Sequence, residues 1–549
     1  MACSKLFSGN LPELINEIMQ YFRYDCKTLH SCILVNRLWC HLAIPLLWED
    51  PFTIKVLKNY NFIDIYLHNL NDDDKAKLNE YVTPNNLFPS NTLFNYPSFI
   101  QHLDTNKVRV SIYNWITANA TSKNKSQHSS YSMQNTNLSY KQMSDFTKLI
   151  YRLLFLKFIK NEVNLLSFKI TMIIDEDFEY FDEIFELILQ NPNFIYNIKD
   201  FILDFDNTTY NVTKFIEFLC SNCNSISSLY FLLPTYYDNY LIEKNLSQLI
   251  QSQEGLKKIS LGYNKFPLYH LLLSLKNPNC SNTLNTIIFY HVDFKNIVIL
   301  SEVFNQLNVL ESIHIVYCRT LDSKFIQQIN NITKPFKLRS LFLNVSISEE
   351  LLESLIQKSG NYLENLGITN NESQLLLRLI IKYCRNIKYL GHTWLDKQYI
   401  YLLFDLIQNV TQSLNYLFID YFYNRNSSSF ILQNLGQALP FKLEFLNLCL
   451  TINTSDLELF LKNSQTTFIK KLLLRNRMNE NGDIFPYIKE YIIKKKRVKY
   501  LAIKESYVGK SEDLFSQKDK VMECELHDIQ VLNYNDLLID IYDFIKETY

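Results

Sequence analysis

The fold of this chain is decided by residues 338–368, LRSLFLNVSISEELLESLIQKSGNYLENLGI. The stretch begins with three apolar residues separated by two residues and then by one, and the same spacing returns at its end. The first copy is Leu338, Leu341 and Leu343, and the second is Leu363, Leu366 and Ile368. Apolar residues that alternate with others over a short run predict a strand with one buried face.

Between the two copies, the apolar residues follow a helical period. Ser348 precedes this run and Gly360 follows it. The apolar stripe consists of Leu351, Leu352, Leu355 and Ile356. A polar residue before such a stripe and a glycine after it are typical start and stop signals of a helix. The stretch therefore predicts one strand followed by one helix.

The strand pattern recurs through most of the chain, in thirteen copies that follow one another at steps of 24 to 33 residues. The copies begin at Leu165, Ile198, Ile226, Leu256, Leu284, Leu310, Leu338, Leu363, Ile387, Leu414, Leu443, Ile469 and Val498. A degenerate fourteenth copy is predicted at Val521, Cys524 and Leu526. A fixed period of this length is the mark of a repeat solenoid.

This strand-and-helix unit resembles the leucine-rich repeat over most of residues 160–505. The resemblance implies an α/β solenoid, with a parallel sheet inside and helices outside. A doubly wound sheet is the alternative for alternating strands and helices, but the regular step over thirteen units argues against it. Cys223 and Cys384 each stand three residues before a copy, which favours small buried packing residues and is similar to the cysteine-containing subclass of these repeats.

A different pattern occupies residues 11–48, LPELINEIMQYFRYDCKTLHSCILVNRLWCHLAIPLLW. Pro12 fits the first turn of a helix, with Asn10 as its cap and Glu13 completing a capping box. Two further apolar sets follow a break at Tyr24 and Asp25. The pattern predicts three short helices around one small core, a unit of about 40 residues that is marginal as a free-standing fold.

The spacing Leu-Pro-x-Glu-Leu/Ile-x-x-Ile, then Leu, Val-Asn-Arg-x-Trp and Pro-Leu-Leu-Trp, resembles an F-box. In that family the motif docks on the Skp-type adaptor of a cullin–RING ubiquitin ligase. By resemblance, the adaptor-binding residues are Leu11, Pro12, Ile15, Ile18, Leu29, Val35, Trp39 and Trp48. Asn36 departs from the Cys that many members carry there. The alternative is an ordinary three-helix cap on a larger domain.

Composition shifts divide the chain into four parts. Residues 1–50 form the predicted F-box, and residues 51–116 a helical connecting region in which Asn71 caps a helix. Residues 117–140 are rich in Ser, Asn, Gln and Lys, which predicts a disordered polar linker. Residues 141–549 form the solenoid, with repeats over 165–505 and a C-terminal cap.

The net charge of −1 gives no general attraction to nucleic acid or to an anionic membrane. Only nine glycines occur in the chain, which argues against glycine loops that cradle phosphates. The eleven cysteines lack a framework spacing, the first ten residues lack an apolar signal segment, and no apolar run is long enough to span a membrane. We expect a soluble intracellular protein, cytoplasmic or nuclear or both.

The sequence gives only weak indications of catalytic or metal-binding groups. Cys220 and Cys223 have the spacing of a redox or zinc pair, but no second pair or nearby His completes a site. Asp204 and Asp206 more often mark a strand end than a general acid–base pair. The ten His residues are scattered, so we expect no enzyme, no cofactor and no metal. The basic run 494–497 is read as a solvated helix end, with a nuclear-entry signal as the alternative.

The residues that flank the inward apolar pair of each copy point to the concave face of the predicted solenoid. That face carries Asp200 and Asp204 near its start and Lys471, Arg475 and Lys504 near its end. Its aromatic centre consists of Tyr230, Tyr290, Phe342, Tyr389, Tyr416, Phe418 and Phe445. Aromatic side chains are enriched at binding hot spots, so we expect a target protein to bind there. The alternative is that aromatic residues, 14% of the chain, fall there by abundance.

These features together predict a non-catalytic substrate receptor, in which the F-box binds the adaptor and the repeats bind a target protein. One alternative is a repeat scaffold without any ligase role, distinguished by whether Leu11, Pro12 and Trp39 bury against the repeats. Another is an enzyme with a site on the concave face, for which a deep pocket with convergent polar groups would be the mark.

Overall fold

A computed structural model describes residues 12–549, with the exception of 54–59, 69, 85–91, 122–130, 134–137, 207–208, 234–239, 264–267, 296, 345–347, 369–373, 394–399, 422–424, 478–481 and 508–509. The chain forms two compact units. Unit 1 is Met1–Ile259 with Asn277–Thr283, and unit 2 is Ser260–Lys276 with Leu284–Tyr549. Of the helices in the described ranges, none combines the length and the apolar character needed to cross a membrane.

Unit 1 begins with three helices that share one core. They are α1 (Pro12–Gln20), α2 (Cys26–Ile33) and α3 (Arg37–Trp48). The carboxylate of Asp25 accepts from the Thr28 N–H and the amide oxygen of Asn36 from the Trp39 N–H, so each side chain satisfies a free donor at a helix start. The core consists of Ile15, Met19, Leu29, Cys32, Ala43 and Leu46. The predicted cap Asn10 lies outside the described residues.

Helices and strands of different length lie between the bundle and the first repeat strand. They are α4 (Phe62–Leu67), α5 (Asp72–Leu78), β1 (Val82–Pro84), β2 (His102–Asp104), α6 (Thr105–Thr121), β3 (Tyr131–Met133) and α7 (Tyr140–Lys160). The predicted cap Asn71 accepts from the Asp74 N–H at 2.7 Å. Within the predicted disordered linker 117–140, α6 continues to Thr121 and β3 pairs with β1, while residues 122–130 and 134–137 are not described.

The rest of unit 1 contains the first repeats. Its elements are β4 (Ser167–Met172), α8 (Asp175–Leu189), β5 (Asp200–Phe205), α9 (Tyr210–Asn222), β6 (Ser228–Leu232) and α10 (Tyr240–Ser252). Strand β2 pairs in parallel with β4, β4 with β5, and β5 with β6. Phe168 lies opposite Phe201, and Phe201 opposite Leu229, so that core residues of successive repeats stack in register.

Strand β7 (Lys258–Gly262) is divided between the units, α11 (Tyr269–Ser274) belongs to unit 2, and α12 (Pro278–Thr283) belongs to unit 1. The strands that follow in unit 2 are β8 (Thr286–Tyr290), β9 (Ser312–Val316), β10 (Leu338–Leu343), β11 (Asn365–Ile368), β12 (Tyr389–Thr393), β13 (Tyr416–Asp420), β14 (Lys442–Leu450), β15 (Phe468–Asn476) and β16 (Val498–Tyr507). The helices between them are α13 (Leu300–Gln306), α14 (Ser323–Asn330), α15 (Glu349–Ser359), α16 (Gln374–Tyr383), α17 (Ile400–Asn409), α18 (Arg425–Ala438), α19 (Thr454–Asn463) and α20 (Phe485–Ile488).

Strands β8 to β16 pair in parallel, each with the next in the chain. This order has no reversal, so in unit 2 it excludes a doubly wound sheet, which needs a switch point. Because parallel crossovers share one hand, the helices of such a sheet lie on a single face. We call the opposite face, which carries Tyr389, Tyr416 and Phe445, the inner face.

The structure confirms the repeat period read from the sequence. Each of the thirteen predicted copies begins within two residues of the start of an observed strand, from β4 to β16. Most apolar positions of the copies are buried, as are Leu417 and Leu446 at 0% exposure, whereas Leu310 is half-buried. The fourteenth copy is wrong, because Val521 and Cys524 lie in helix α21 (Lys518–Glu525) and the strand comes later.

Two further strands and two further helices follow in the described part of unit 2. Strand β17 (Lys510–Asp513) pairs antiparallel to β16, and β18 (Gln530–Val531) pairs with β16 in parallel. Helices α22 (Tyr534–Leu537) and α23 (Ile541–Thr548) follow. We call residues 532–549, LNYNDLLIDIYDFIKETY, the return segment.

Candidate functional site

The residues predicted to bind an adaptor lie in different environments on the three-helix bundle. Val35 is 49% exposed in the turn between α2 and α3, whereas Ile15 and Leu29 are fully buried in the bundle core. Ile18, Trp39 and Trp48 are half-buried. Pro12 is the first residue of α1, and Leu11 lies outside the described residues. Trp39 packs on the core of the bundle itself.

Two exposed leucines on the bundle were missed by the motif comparison. Leu34 is 79% exposed beside Val35, and Leu14 on α1 is 43% exposed. Exposed leucine at these levels on a small bundle is the kind of surface that a partner covers. Helical periodicity groups Leu14 with Ile15 and Met19, so its exposure could not be predicted from that pattern.

The carboxyl end of α3 faces inward, into unit 1. The Trp48 ring contacts Tyr66 and Tyr96 with centroid distances of 5.4 and 4.2 Å. The Arg23 guanidinium pairs with the Glu49 carboxylate at 2.5 Å, and the Glu49 carbonyl accepts from the Gln101 N–H. These contacts fix the bundle to the connecting region of unit 1.

The inner face of unit 2 brings the predicted aromatic residues together. Ring centroids are separated by 5.6 Å between Phe342 and Tyr389, by 6.2 Å between Tyr389 and Tyr416, and by 6.5 Å between Tyr416 and Phe445. Gly367 pairs with Phe342 on one side and with Gly391 on the other, and its missing side chain leaves room for the Phe342 ring. Tyr389, Tyr416 and Phe445 lie opposite one another in the sheet register, and the Phe342 ring extends this row.

The return segment covers this row. Tyr542 stacks on Tyr290 with a centroid distance of 4.4 Å, and its hydroxyl shares a hydrogen bond of 2.9 Å with Ser260. Phe544 contacts the rings of Tyr389 and Tyr416 at 5.3 and 5.0 Å. One side of α23 thus meets β7 and β8, while another side meets β12 and β13.

A second contact anchors the beginning of the return segment. Tyr534 is 2% exposed, its hydroxyl donates to the Asn447 side chain at 2.9 Å, and its N–H donates to Asp513. Tyr534 and Leu537 form a buried cluster with Phe445, Leu473 and Ala502. This part of the segment closes the inner face of the last strands.

Tyr549 occupies a polar pocket at the start of β11. Its hydroxyl donates to the Glu364 carboxylate at 2.5 Å and accepts from the Asn365 side-chain amide at 2.9 Å. The Arg339 guanidinium and the Lys388 ammonium also pair with Glu364. Burial alone would raise the pKa of the Glu364 carboxyl, but the bonds from Tyr549 and Lys388 and the Arg339 charge outweigh it, so that the pKa lies below its usual value.

The predicted target-binding residues are therefore assembled but mostly covered. Phe342, Tyr389 and Phe445 are each 2% exposed, and Tyr290, Tyr416 and Phe418 are half-buried. Tyr230, which belongs to unit 1, is 4% exposed. The return segment itself was missed, although Tyr542, Ile545 and Tyr549 have the spacing of one helix face, with Phe544 on another side of the helix.

The acidic start of the predicted face lies in unit 1. Asp200 and Asp204 stand on β5, and the Lys169 ammonium on β4 pairs with Asp104 on β2 at 3.3 Å. Burial raises the pKa of the Asp204 carboxyl to about 6, with the Lys169 charge opposing and Asp206 and Asp104 adding to the rise. Asp206 is exposed beyond the end of β5. It therefore does not form a matched acid–base pair with Asp204.

The paired cysteines are packing residues. The Cys220 thiol donates to the Asn245 carbonyl and the Cys223 thiol to the Tyr196 carbonyl, each at 3.8 Å. Burial raises the pKa of the Cys220 thiol to about 11, which disfavours the thiolate that redox or metal chemistry uses. Within the described part of the chain, no group of three or more His, Cys, Asp or Glu side chains could hold a metal ion.

One cavity in unit 2, of about 240 Å³, lies beside the amino end of β10. It is lined by Phe304, Leu307, Asn308, Leu310, Ile313, Ile332, Lys334, Pro335, Phe336 and Lys337. This lining contains apolar side chains and two lysines, without a carboxylate or an imidazole to pair with them. It offers no acid–base pair for the enzyme alternative.

Comparison with known proteins adds no relative: no family model matches the chain, and no curated protein sequence matches it.

Proposed function

We propose that this chain is a non-catalytic receptor of a cullin–RING ubiquitin ligase. The three-helix bundle docks on a Skp-type adaptor, and the repeats hold a target protein. The receptor acts by proximity, because holding the target near the conjugating enzyme raises its effective concentration. The chain needs no nucleophile, metal or nucleotide of its own for this role.

The adaptor-binding half of the proposal is supported by the form of the bundle. Its helices pack on each other around their own six-residue core. The F-box-like residue Val35 and its neighbour Leu34 remain outside that core, together with Leu14. A small bundle that keeps leucines exposed while burying its own core fits a surface that a partner protein covers.

The target-binding half is supported by the aromatic row of the inner face. Four rings follow one another at centroid distances of 5.6 to 6.5 Å, from Phe342 on β10 to Phe445 on β14. Such clusters of rigid aromatic side chains supply binding hot spots. The alternative function is a repeat scaffold that binds protein through this face without a ligase role. The aromatic row supports this alternative equally.

A pull-down of the full chain with purified Skp-type adaptor tests the proposal. The variant carries Leu34→Asp and Val35→Asp, and the matched control carries Leu526→Asp, whose leucine is 83% exposed in unit 2. We expect wild type and control to bind, and the variant to lose at least tenfold in affinity, since burying one such side chain contributes about 1.5–3 kcal/mol. Absence of binding by the wild-type chain would favour the scaffold.

A further inference from the structure

The inner face of unit 2 is occupied by a helix that has the features of a bound ligand. Helix α23 is eight residues long and presents Tyr542, Phe544 and Ile545 to the strands, with Tyr549 following one turn later. Asp543 and Glu547 point to solvent. An apolar helix face laid into a groove, with anchors at helical spacing, is a recurring mode of peptide recognition.

The contacts of α23 are made by side chains. Tyr542 meets Tyr290 and Ser260, and Phe544 meets Tyr389 and Tyr416. The main-chain N–H of Phe544 donates to the Asp540 carbonyl, within the first turn of the helix. A helix of this length is marginal by itself in water, so its order depends on the groove.

If α23 were released, the polar groups of the groove would keep hydrogen-bonding and ionic partners within the sheet. Glu364 keeps the Arg339 and Lys388 cations, and Asn365 keeps its bond to the Ser340 hydroxyl at 2.8 Å. Release of α23 would therefore leave no buried charge unpaired, and it would expose the aromatic row. Residues 538–540 separate α23 from the buried anchor at Tyr534, and Leu538 there is 44% exposed, so α23 has a connection on which to swing away.

From these contacts we infer that the inner face of unit 2 is a groove for an amphipathic, acidic helix of a partner protein, and that α23 occupies it as an intramolecular competitor. The partner helix presents aromatic side chains to Tyr290 and to Tyr389 and Tyr416 of the aromatic row. It presents a hydroxyl or amide to Glu364. Its outer face is acidic, as in the return segment, whose five charged residues sum to −3. This inference rests on the target-binding half of the proposed function and is independent of adaptor docking.

The test uses the full chain and a fluorescent peptide of residues 539–549. The variant Tyr542→Ala with Phe544→Ala removes both ring contacts of α23, and Glu547→Gln is the matched control at an exposed position of the same helix. We expect the peptide to bind the double variant at least tenfold more tightly than wild type or control. A peptide with the same two alanines should bind none of them.

Two results would overturn the inference. One is equal binding, or none, across all the chains; the other is loss of the cooperative unfolding transition in the double variant, which would make α23 part of the fold. Hydrogen exchange on the wild-type chain gives an independent answer. We expect the α23 amides to exchange at least tenfold faster than those of β12 and β13. If the amides of α23 and of these strands exchanged at the same rate, in one joint unfolding event, α23 would not be a displaceable helix. Failure of adaptor capture would leave each of these results unchanged.

Discussion

The Tyr549 hydroxyl donates a hydrogen bond of 2.5 Å to Oε2 of Glu364, which lies 185 positions earlier in the chain. Glu364 stands directly before β11, between Arg339 at the start of β10 and Lys388 directly before β12. Three neighbouring repeats thus supply one anionic site with two cations around it, and the return segment places a phenol there. The bond joins the end of α23 to the middle of the sheet.

Tyr549→Phe removes this bond and keeps the ring on His314, from which it is separated by 4.5 Å between centroids. Because Glu364 retains two cationic partners, we expect a loss of about 1 kcal/mol in the docking of α23. Hydrogen exchange of the α23 amides should then be about fivefold faster. Glu547→Gln should leave it unchanged, and equal protection in Tyr549→Phe would show that the bond contributes nothing to docking.

The same contact makes docking depend on pH. The bond from Tyr549 lowers the pKa of Glu364, so docking favours the ionised carboxylate. Docking is therefore strongest above the pKa of the undocked carboxyl and weakens as pH falls through the pKa of the docked one, which lies below the ordinary value. We expect α23 protection, corrected for the intrinsic exchange rate, to drop between pH 6 and pH 3. Glu364→Gln should remove that pH dependence, and a wild-type chain without it would contradict the assignment.

The repeat fold could be predicted from the sequence because its signal is local and repeated. Each strand alternates apolar and other residues over about six positions, and thirteen copies reinforce one another. The composition of the inner face follows from the same alternation, so Tyr389, Tyr416 and Phe445 were placed on one face without any coordinates. What covers that face depends on contacts between residues 534–549 and residues 260–513, and such distant contacts leave no periodic trace.

Two local signals were right for reasons that the sequence does not carry. Gly360 follows α15 as expected of a stop signal, yet its φ of −56° is ordinary. Glycine is needed there because a Cβ would lie 2.9 Å from both Cβ and the carbonyl oxygen of Tyr383 on the next repeat. Likewise, residues 494–497 follow a π-helical turn (Lys489–Ile493) and precede β16, as expected of a helix end, but only the three lysines are exposed, because Arg497 is 6% exposed.

Arg497 is a structural tie between repeats. Its guanidinium donates to the carbonyls of Ser464, Thr467 and Leu461, and burial lowers its pKa to about 10, so that it stays charged at neutral pH. Arg497→Ala leaves these carbonyls without their donor, and we expect a loss of about 2–4 kcal/mol in the free energy of unfolding. Urea denaturation measures it. Lys495→Ala, at an exposed position of the same run, should change the midpoint little, and a similar small effect for Arg497→Ala would mean that water replaces the guanidinium.

Gly367 and Phe342 are coupled through space on the inner face. A Cβ at residue 367 would lie 2.1 Å from Cδ1 of Phe342, whose ring is 2% exposed and held against Tyr389. We expect Gly367→Ala to destabilise the chain by about 1–3 kcal/mol through overpacking. Adding Phe342→Leu should recover part of that loss, so the two changes will not be additive. Gly255→Ala is the control, since a Cβ there meets nothing within 4 Å, and strict additivity of the first pair would contradict the clash.

Asp204 lowers the stability of unit 1 at neutral pH. Its carboxyl has a pKa raised to about 6, so the folded state binds a proton more tightly than the unfolded state does. Stability contributed by this group is present below about pH 4 and is lost as pH rises towards 6. Asp204→Asn should therefore raise the free energy of unfolding by about 2 kcal/mol at pH 7 and change it little near pH 4. Thermal unfolding at both pH values, with the exposed Asp405→Asn as control, measures this. A gain of the same size at both pH values would assign the effect to packing rather than to ionisation.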